Sequence, residues 1–163
     1  GMPGMNIWFE QQINEIRKHT DRPIQVRPHP RNPISLDLKK YKNVSLTRPV
    51  MDSNTIDDTN FKDTLNNVWA VVNHSSNPAI EAVINGIPVF VSEDSLCHDV
   101  GNHSLDNINN PKDMTQANYQ DLKQALTTML TDKSGSGLLG DEQRITIFIK
   151  QIDVILEDWG KYR

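Results

Sequence analysis

The sequence predicts an α/β chain: a Rossmann-like, mostly parallel sheet flanked by helices and forming a single lobe. Three observations predict it. Short apolar runs alternate with stretches whose apolar residues recur every three or four positions. The run Val68–Val72 is nearly all apolar, as a central parallel strand covered on both faces requires. The path from that run to Pro88–Val91 holds one helix between tight polar punctuation, which suits a crossover between parallel strands.

Each element has its own signal. Ile7, Trp8, Phe9, Ile13 and Ile16 are spaced for an amphipathic helix over Asn6–His19, and Gly1 ahead of Met2 reads as a remnant of tag removal. Asp21-Arg22-Pro23 breaks that helix. Ile24–Arg27 is then a short strand, ended by Pro28 and Pro30, because proline supplies no backbone donor and restricts the residue before it. Ile34–Tyr41 holds one or two helical turns, and Asn43–Leu46 is a second strand. Thr59–Asn66 reads as a short helix with Phe61 and Leu65 inward, leading into the third strand, Val68–Val72.

The next helix is the best punctuated. Asn77 is its expected N-cap and Pro78 its first helical residue, where a missing donor costs little. Gly86 suits the left-handed position after the last turn, with Ile87 making the accompanying apolar contact. Pro88–Val91 is the fourth strand, and His98–Pro111, rich in asparagine, reads as a long loop. Gln116–Leu130 and Asp141–Trp159 are helices, separated by a flexible SGSG turn at 134–137. Four strands are few for a complete doubly wound enzyme, so the chain reads as one lobe of a larger protein.

Composition narrows the class. The 163 residues suit one domain, and 36% hydrophobic with 23% charged residues is ordinary for a soluble globular protein. No apolar run approaches the roughly 18 residues that span a bilayer. Cys97 is the single cysteine, which excludes an intrachain disulfide; one Cys among five scattered His forms no metal-ligand pattern. A cytoplasmic setting fits this usage. Residues 1–50 carry nine Lys/Arg against four Asp/Glu, a net of +5, while residues 51–163 carry eight against seventeen, a net of −9. The basic part suits a phosphate-bearing ligand, or is a solvated face. The acidic remainder and 6% aromatic content argue against nucleic-acid binding.

In an open α/β sheet, ligands collect beyond the C-terminal strand ends. Arg27, His29 and Arg31 lie at or after the first strand end; arginine grips phosphate oxygens with paired donors and histidine donates near neutral pH. The bland alternative is a solvated loop shaped by its prolines. Asn73, His74, Ser75 and Ser76 fill the turn between the third strand and the following helix, whose free amides and aligned dipoles attract an anion. The same residues are also good turn-makers and caps. Glu81 follows within an apolar segment, one position too late for a capping box. Its carboxylate suits paired hydrogen bonds from ribose hydroxyls, the alternative being a solvated helix face. Glu93, Asp94, Ser95, His98 and His103 rank below these groups, and Cys97 reads as incidental.

The segment HSSNPAIEAVINGIPVFV, residues 74–91, together with VRPHPR, residues 26–31, resembles the donor-binding lobe of two-lobed (GT-B-like) glycosyltransferases, closest to the capsule-polysaccharide and Kdo-transferase type. The resemblance implies that residues 1–163 form one nucleotide-sugar-binding domain. It implies that Ser75 and Ser76, beside His74, line the donor diphosphate, and that Glu81 holds ribose or sugar hydroxyls. His29, with Arg27 or Arg31, would be the catalytic group that stabilises negative charge on donor phosphate or acceptor. It implies no cofactor and no metal, the nucleotide sugar being substrate, and a second glycosyltransferase lobe or protein partner. A non-catalytic nucleotide- or protein-binding module of the same fold, and an epimerase-like enzyme acting on a nucleotide sugar, are the competing expectations.

Overall fold

Four α-helices and six short strands are seen among the described residues of the computed structural model, which are 3–28, 35–47, 51–52, 55–56, 64–74, 77–132 and 138–161. The chain divides into two compact units, Gly1–Asn66 with Ser104–Asn110, and Asn67–His103 with Pro111–Arg163.

In the first unit, helix α1 spans Pro3–Arg17, starting before the expected Asn6. Proline is tolerated there because a first-turn N–H has no intrahelical partner. Ile13 and Ile16 on α1 are buried, as are Val26, Leu65 and Ile108 in the same unit. Strands β1 (Ile24–Val26) and β2 (Val44–Leu46) pair in parallel, with Ile24 opposite Val44 and Val26 opposite Leu46. One 3₁₀ turn at Leu38–Lys40, capped by the Asp37 carboxylate, occupies the stretch expected to be helical.

Arg17 joins these pieces. Its guanidinium donates to the carbonyls of Lys42 at 2.7 Å, Arg22 at 2.8 Å, Asn43 at 3.1 Å and Thr20 at 3.2 Å. A planar fork with five donors can meet that many acceptors at once. The end of α1 is thereby tied to the lead-ins of both strands. Nearby, Glu10 lies 3.5 Å from Lys40 and holds its ammonium above the ordinary range, mainly through charge attraction.

A feature that local pattern did not disclose is the antiparallel pair β3 (Met51–Asp52) and β4 (Thr55–Ile56), with Met51 opposite Ile56. Of the helix expected over Thr59–Asn66, only the end is described: Thr64 is helical, a turn follows, and Leu65 is buried.

The second unit is built on a parallel βαβ arrangement: β5 (Val71–Asn73), α2 (Asn77–Ile84) and β6 (Val89–Val91), with Val71 opposite Val89 and Asn73 opposite Val91. The strand expected over Val68–Val72 is shifted toward Asn73, and Trp69 is 44% exposed. All three residues of β5 are half-buried, whereas all three of β6 are buried. Successive strand side chains point to opposite faces, so β6 rather than β5 is the strand covered on both sides.

Helix α2 ends as its residues dictate. Gly86 has φ +78°, the Ile87 amide donates to Ala82 at 2.9 Å, and the Gly86 amide donates to Val83 at 3.1 Å. This pair of bonds is the Schellman motif, and the buried Ile87 closes it. Helix α3 (Gln116–Thr131) carries a reciprocal capping box between Thr115 and Asn118, and α4 (Leu138–Glu157) packs against both α2 and α3. Ile80, Val83, Leu122, Leu126, Ile145, Phe148 and Ile152 are buried in this unit. Tyr119 is buried too, donating its hydroxyl to the Val83 carbonyl at 2.7 Å and meeting Trp159 edge-on.

The stretch expected to be one long loop, His98–Pro111, is a loop of turns and bends with two anchoring features. Asn102 is bridged to Phe90 beside β6, and Ser104 caps a 3₁₀ turn at Leu105–Asn107. Among the described residues the strands pair only in twos, so the architecture seen is α/β with two parallel pairs and one antiparallel pair. No described helix is long and apolar enough to cross a membrane.

Candidate functional site

The end of β5 and the start of α2 lie four residues apart in the chain, and the end of β6 lies beside β5. Parallel pairing forces both strands to finish on the same edge, and the crossover helix must start from that edge. His74 is exposed immediately after β5, and its carbonyl accepts a hydrogen bond from the Ser92 hydroxyl at 2.8 Å, one residue past β6. That bond ties the two strand ends together. Asn73, the last residue of β5, buries its side-chain oxygen Oδ1 with no hydrogen-bond partner among the described residues. A buried amide oxygen left unpaired costs about 1–3 kcal/mol, so this edge holds an acceptor whose desolvation remains to be offset.

Helix α2 begins at Asn77, so that residue is helical rather than the cap expected of it. Glu81 is then the fifth helical residue, half-buried, between the fully buried Ile80 and Ala82. Its own carbonyl accepts from the Asn85 amide at 3.2 Å and side chain at 2.8 Å. Half-burial of Glu81 favours hydrogen bonds from hydroxyls over those on an open surface.

Of the residues singled out from sequence, His74 and Glu81 belong to the second unit, while Arg27, half-buried one residue beyond β1, belongs to the first. His29, Arg31, Ser75 and Ser76 lie outside the described residues. The loop groups take other positions. Ser95 is buried and accepts from the Cys97 amide at 3.1 Å. His98 and His103 stack face to face, with centroids 4.1 Å apart, and the His103 Nε2 approaches the His98 carbonyl.

Cys97 is fully buried, and burial pushes its thiol up to about 12. The thiolate is the reactive species, so the native protein should resist iodoacetamide at pH 8 and become labelled only in denaturant. Mass spectrometry of the alkylated chain reads this directly. The pH dependence has a definite sign. The folded value exceeds the ordinary 9.0, so the thiol's contribution is full below about pH 9. It falls by about 1.4 kcal/mol per pH unit up to about 12, a slope that Cys97→Ala should lack.

A second cluster escaped sequence reading because its members are remote in the chain. Glu15 and His19 lie one turn apart on and just beyond α1, and Asp106 joins them from the 3₁₀ turn of the same unit. The His19 Nε2 is 3.1 Å from an Asp106 oxygen and 3.4 Å from a Glu15 oxygen. The Lys18 ammonium, and after it His19, hold the Glu15 carboxyl below the usual carboxylate range. The i, i+4 spacing of Glu15 and His19 was a usable signal; the arrival of Asp106 was not.

No protein-family model matches the chain, and no curated protein or solved structure matches it.

Proposed function

We propose that the chain is the donor-binding lobe of a nucleotide-sugar-dependent glycosyltransferase, with a Rossmann-like sheet and a cytoplasmic setting. The observation that carries this reading is the edge formed by β5, β6 and the start of α2, where the Asn73 oxygen, unpaired among the described residues, lies beside exposed His74 and ahead of half-buried Glu81. Phosphate binds where helix amides are free, and sugar or ribose hydroxyls bind where buried acceptors lack donors. His74, Ser75 and Ser76 take the diphosphate in this reading, and Glu81 takes the hydroxyls. As the glycosidic bond breaks, the leaving nucleotide gains charge. Donors held on that oxygen lower the barrier more than they strengthen ground-state binding. The charge-stabilising role of His29, with Arg27 or Arg31, is kept on the resemblance alone.

A non-catalytic module of the same fold is the second reading, favoured by strands that pair only in twos among the described residues. Calorimetric titration of the chain with a panel of nucleotide sugars and free nucleoside diphosphates tests donor binding, and turnover of the bound donor with the second lobe supplied separates the transferase from a nucleotide-binding module. Saturable binding of one donor is expected, weakened about 10- to 100-fold in Glu81→Ala, the loss of hydrogen bonds to a charged acceptor. Absence of binding across the panel, with the second lobe supplied as well, overturns the transferase reading in favour of the module.

A further inference from the structure

We propose that Glu15, His19 and Asp106 form a binding site for a divalent transition-metal cation of the zinc class. Its three residues belong to the first unit, whereas His74 and Glu81 belong to the second.

The spacing of the ligand atoms carries the inference. Zinc holds imidazole nitrogen and carboxylate oxygen at about 2.0–2.2 Å, so two ligands on one ion stand about 2.9–3.5 Å apart for angles between 90° and tetrahedral. The His19 Nε2 faces oxygens from two different carboxylates at 3.1 and 3.4 Å, and all three ligand atoms lie within 4.8 Å of one another. One ring nitrogen carries at most one proton to share between both oxygens. Two of the three spacings thus match those of ligands sharing one ion, and the third pair lies within 4.8 Å.

The donor set selects the metal. An imidazole nitrogen suits zinc, nickel, copper or iron, whereas magnesium and calcium favour oxygen alone. Three protein ligands leave a fourth position for water or substrate, the arrangement of an open zinc site.

Both sides of the site are held in place. Lys18 engages the other Glu15 oxygen, Oε2, at 3.1 Å, leaving Oε1 for His19. On the opposite side, Asn109 donates its side-chain amide to the His19 carbonyl at 2.8 Å, and the adjoining Ile108 is buried. Asp106 is therefore carried on a turn anchored to the end of α1 rather than on a free loop. His19 has 27% of its side chain exposed and Asp106 71%, so a cation reaches the site without rearrangement of the core.

The test is titration of the full chain with zinc chloride, followed by calorimetry, and with cobalt chloride, followed by the visible absorption of the bound ion. One saturable site is expected. His19→Ala and Asp106→Asn should each weaken binding at least tenfold, by analogy with the roughly 10- to 100-fold cost of losing even an outer-shell partner. His103→Ala, which alters the stacked pair in the other unit, should leave affinity unchanged. Asp106→Asn keeps the size and polarity of the side chain, so its circular dichroism should match the parent. Equal affinity in parent and cluster variants, loss in His103→Ala, or saturation by magnesium in preference to zinc overturns the proposal.

Discussion

Asn102→Leu is expected to lower stability by about 2–3 kcal/mol, with Asn102→Asp costing at least as much at pH 7. The side chain is 2% exposed and makes three contacts. Its Nδ2 donates to the Val89 carbonyl at 3.1 Å and the Lys112 carbonyl at 3.4 Å, while its Oδ1 accepts from the Lys112 amide at 2.8 Å. Leucine keeps the branched shape, though it is bulkier, and leaves the Lys112 amide without its acceptor. Aspartate restores that acceptor and sets a second oxygen against two carbonyls, with a charge buried among them. Protonating the new carboxyl turns that oxygen into a donor, so its folded pKa is raised. Stability of Asn102→Asp should thus be highest below the unfolded carboxyl value, near pH 4, and be lost as pH rises through the folded value. Urea unfolding at pH 4 and pH 7, with Asn102→Leu as the comparison that carries no titratable group at this position, checks both magnitude and sign. The neighbouring Gly101 adds to the constraint, since a Cβ there would lie 2.9 Å from the Cys97 carbonyl oxygen.

Ile152→Ala is the second large effect, expected to cost about 2–5 kcal/mol. Ile152 has no exposed surface, and its helix packs against both α2 and α3. Removing three carbons there forfeits both the transfer of apolar surface and the dispersion contacts of the atoms lining the void. Two residues along the same helix, Val154 is 56% exposed, and Val154→Ala should stay within about 0.5 kcal/mol. Thermal denaturation of the pair measures the contrast. Near-equal costs would mean that α4 does not form the core of the second unit.

Much of the fold was legible before any coordinates. All four strand segments and the three longer helices lie within a few residues of where periodicity and punctuation put them. Around Gly86 the agreement extends to individual hydrogen bonds, because a helix stop depends on residues adjacent in the chain. The candidate site was legible in part: His74 and Glu81 stand at a strand end and on a crossover helix, as their local sequence requires. What was misread is equally specific. Val68–Val72 is apolar but is not the strand covered on both faces, since burial depends on which elements lie above and below, and composition cannot report that. His98–Pro111 is the loop its lack of periodicity predicts, but sequence did not disclose that Asn102 anchors it through bonds to Val89 and Lys112.

By itself, then, the sequence determined the features whose causes lie within a few residues: helix lengths from apolar spacing, ends from proline and glycine, and the α/β class from their alternation. Only the tertiary structure decided which strands pair, which of two apolar strands is enclosed, and which distant side chains meet. Glu15 and His19 are set one helical turn apart by the chain, but Asp106 reaches His19 only because Ile108 is buried and Asn109 bonds to the helix end. The physical reason is the range of the forces involved. Backbone propensity and capping act between neighbours, whereas burial and buried hydrogen bonding act between whichever groups the fold brings into contact.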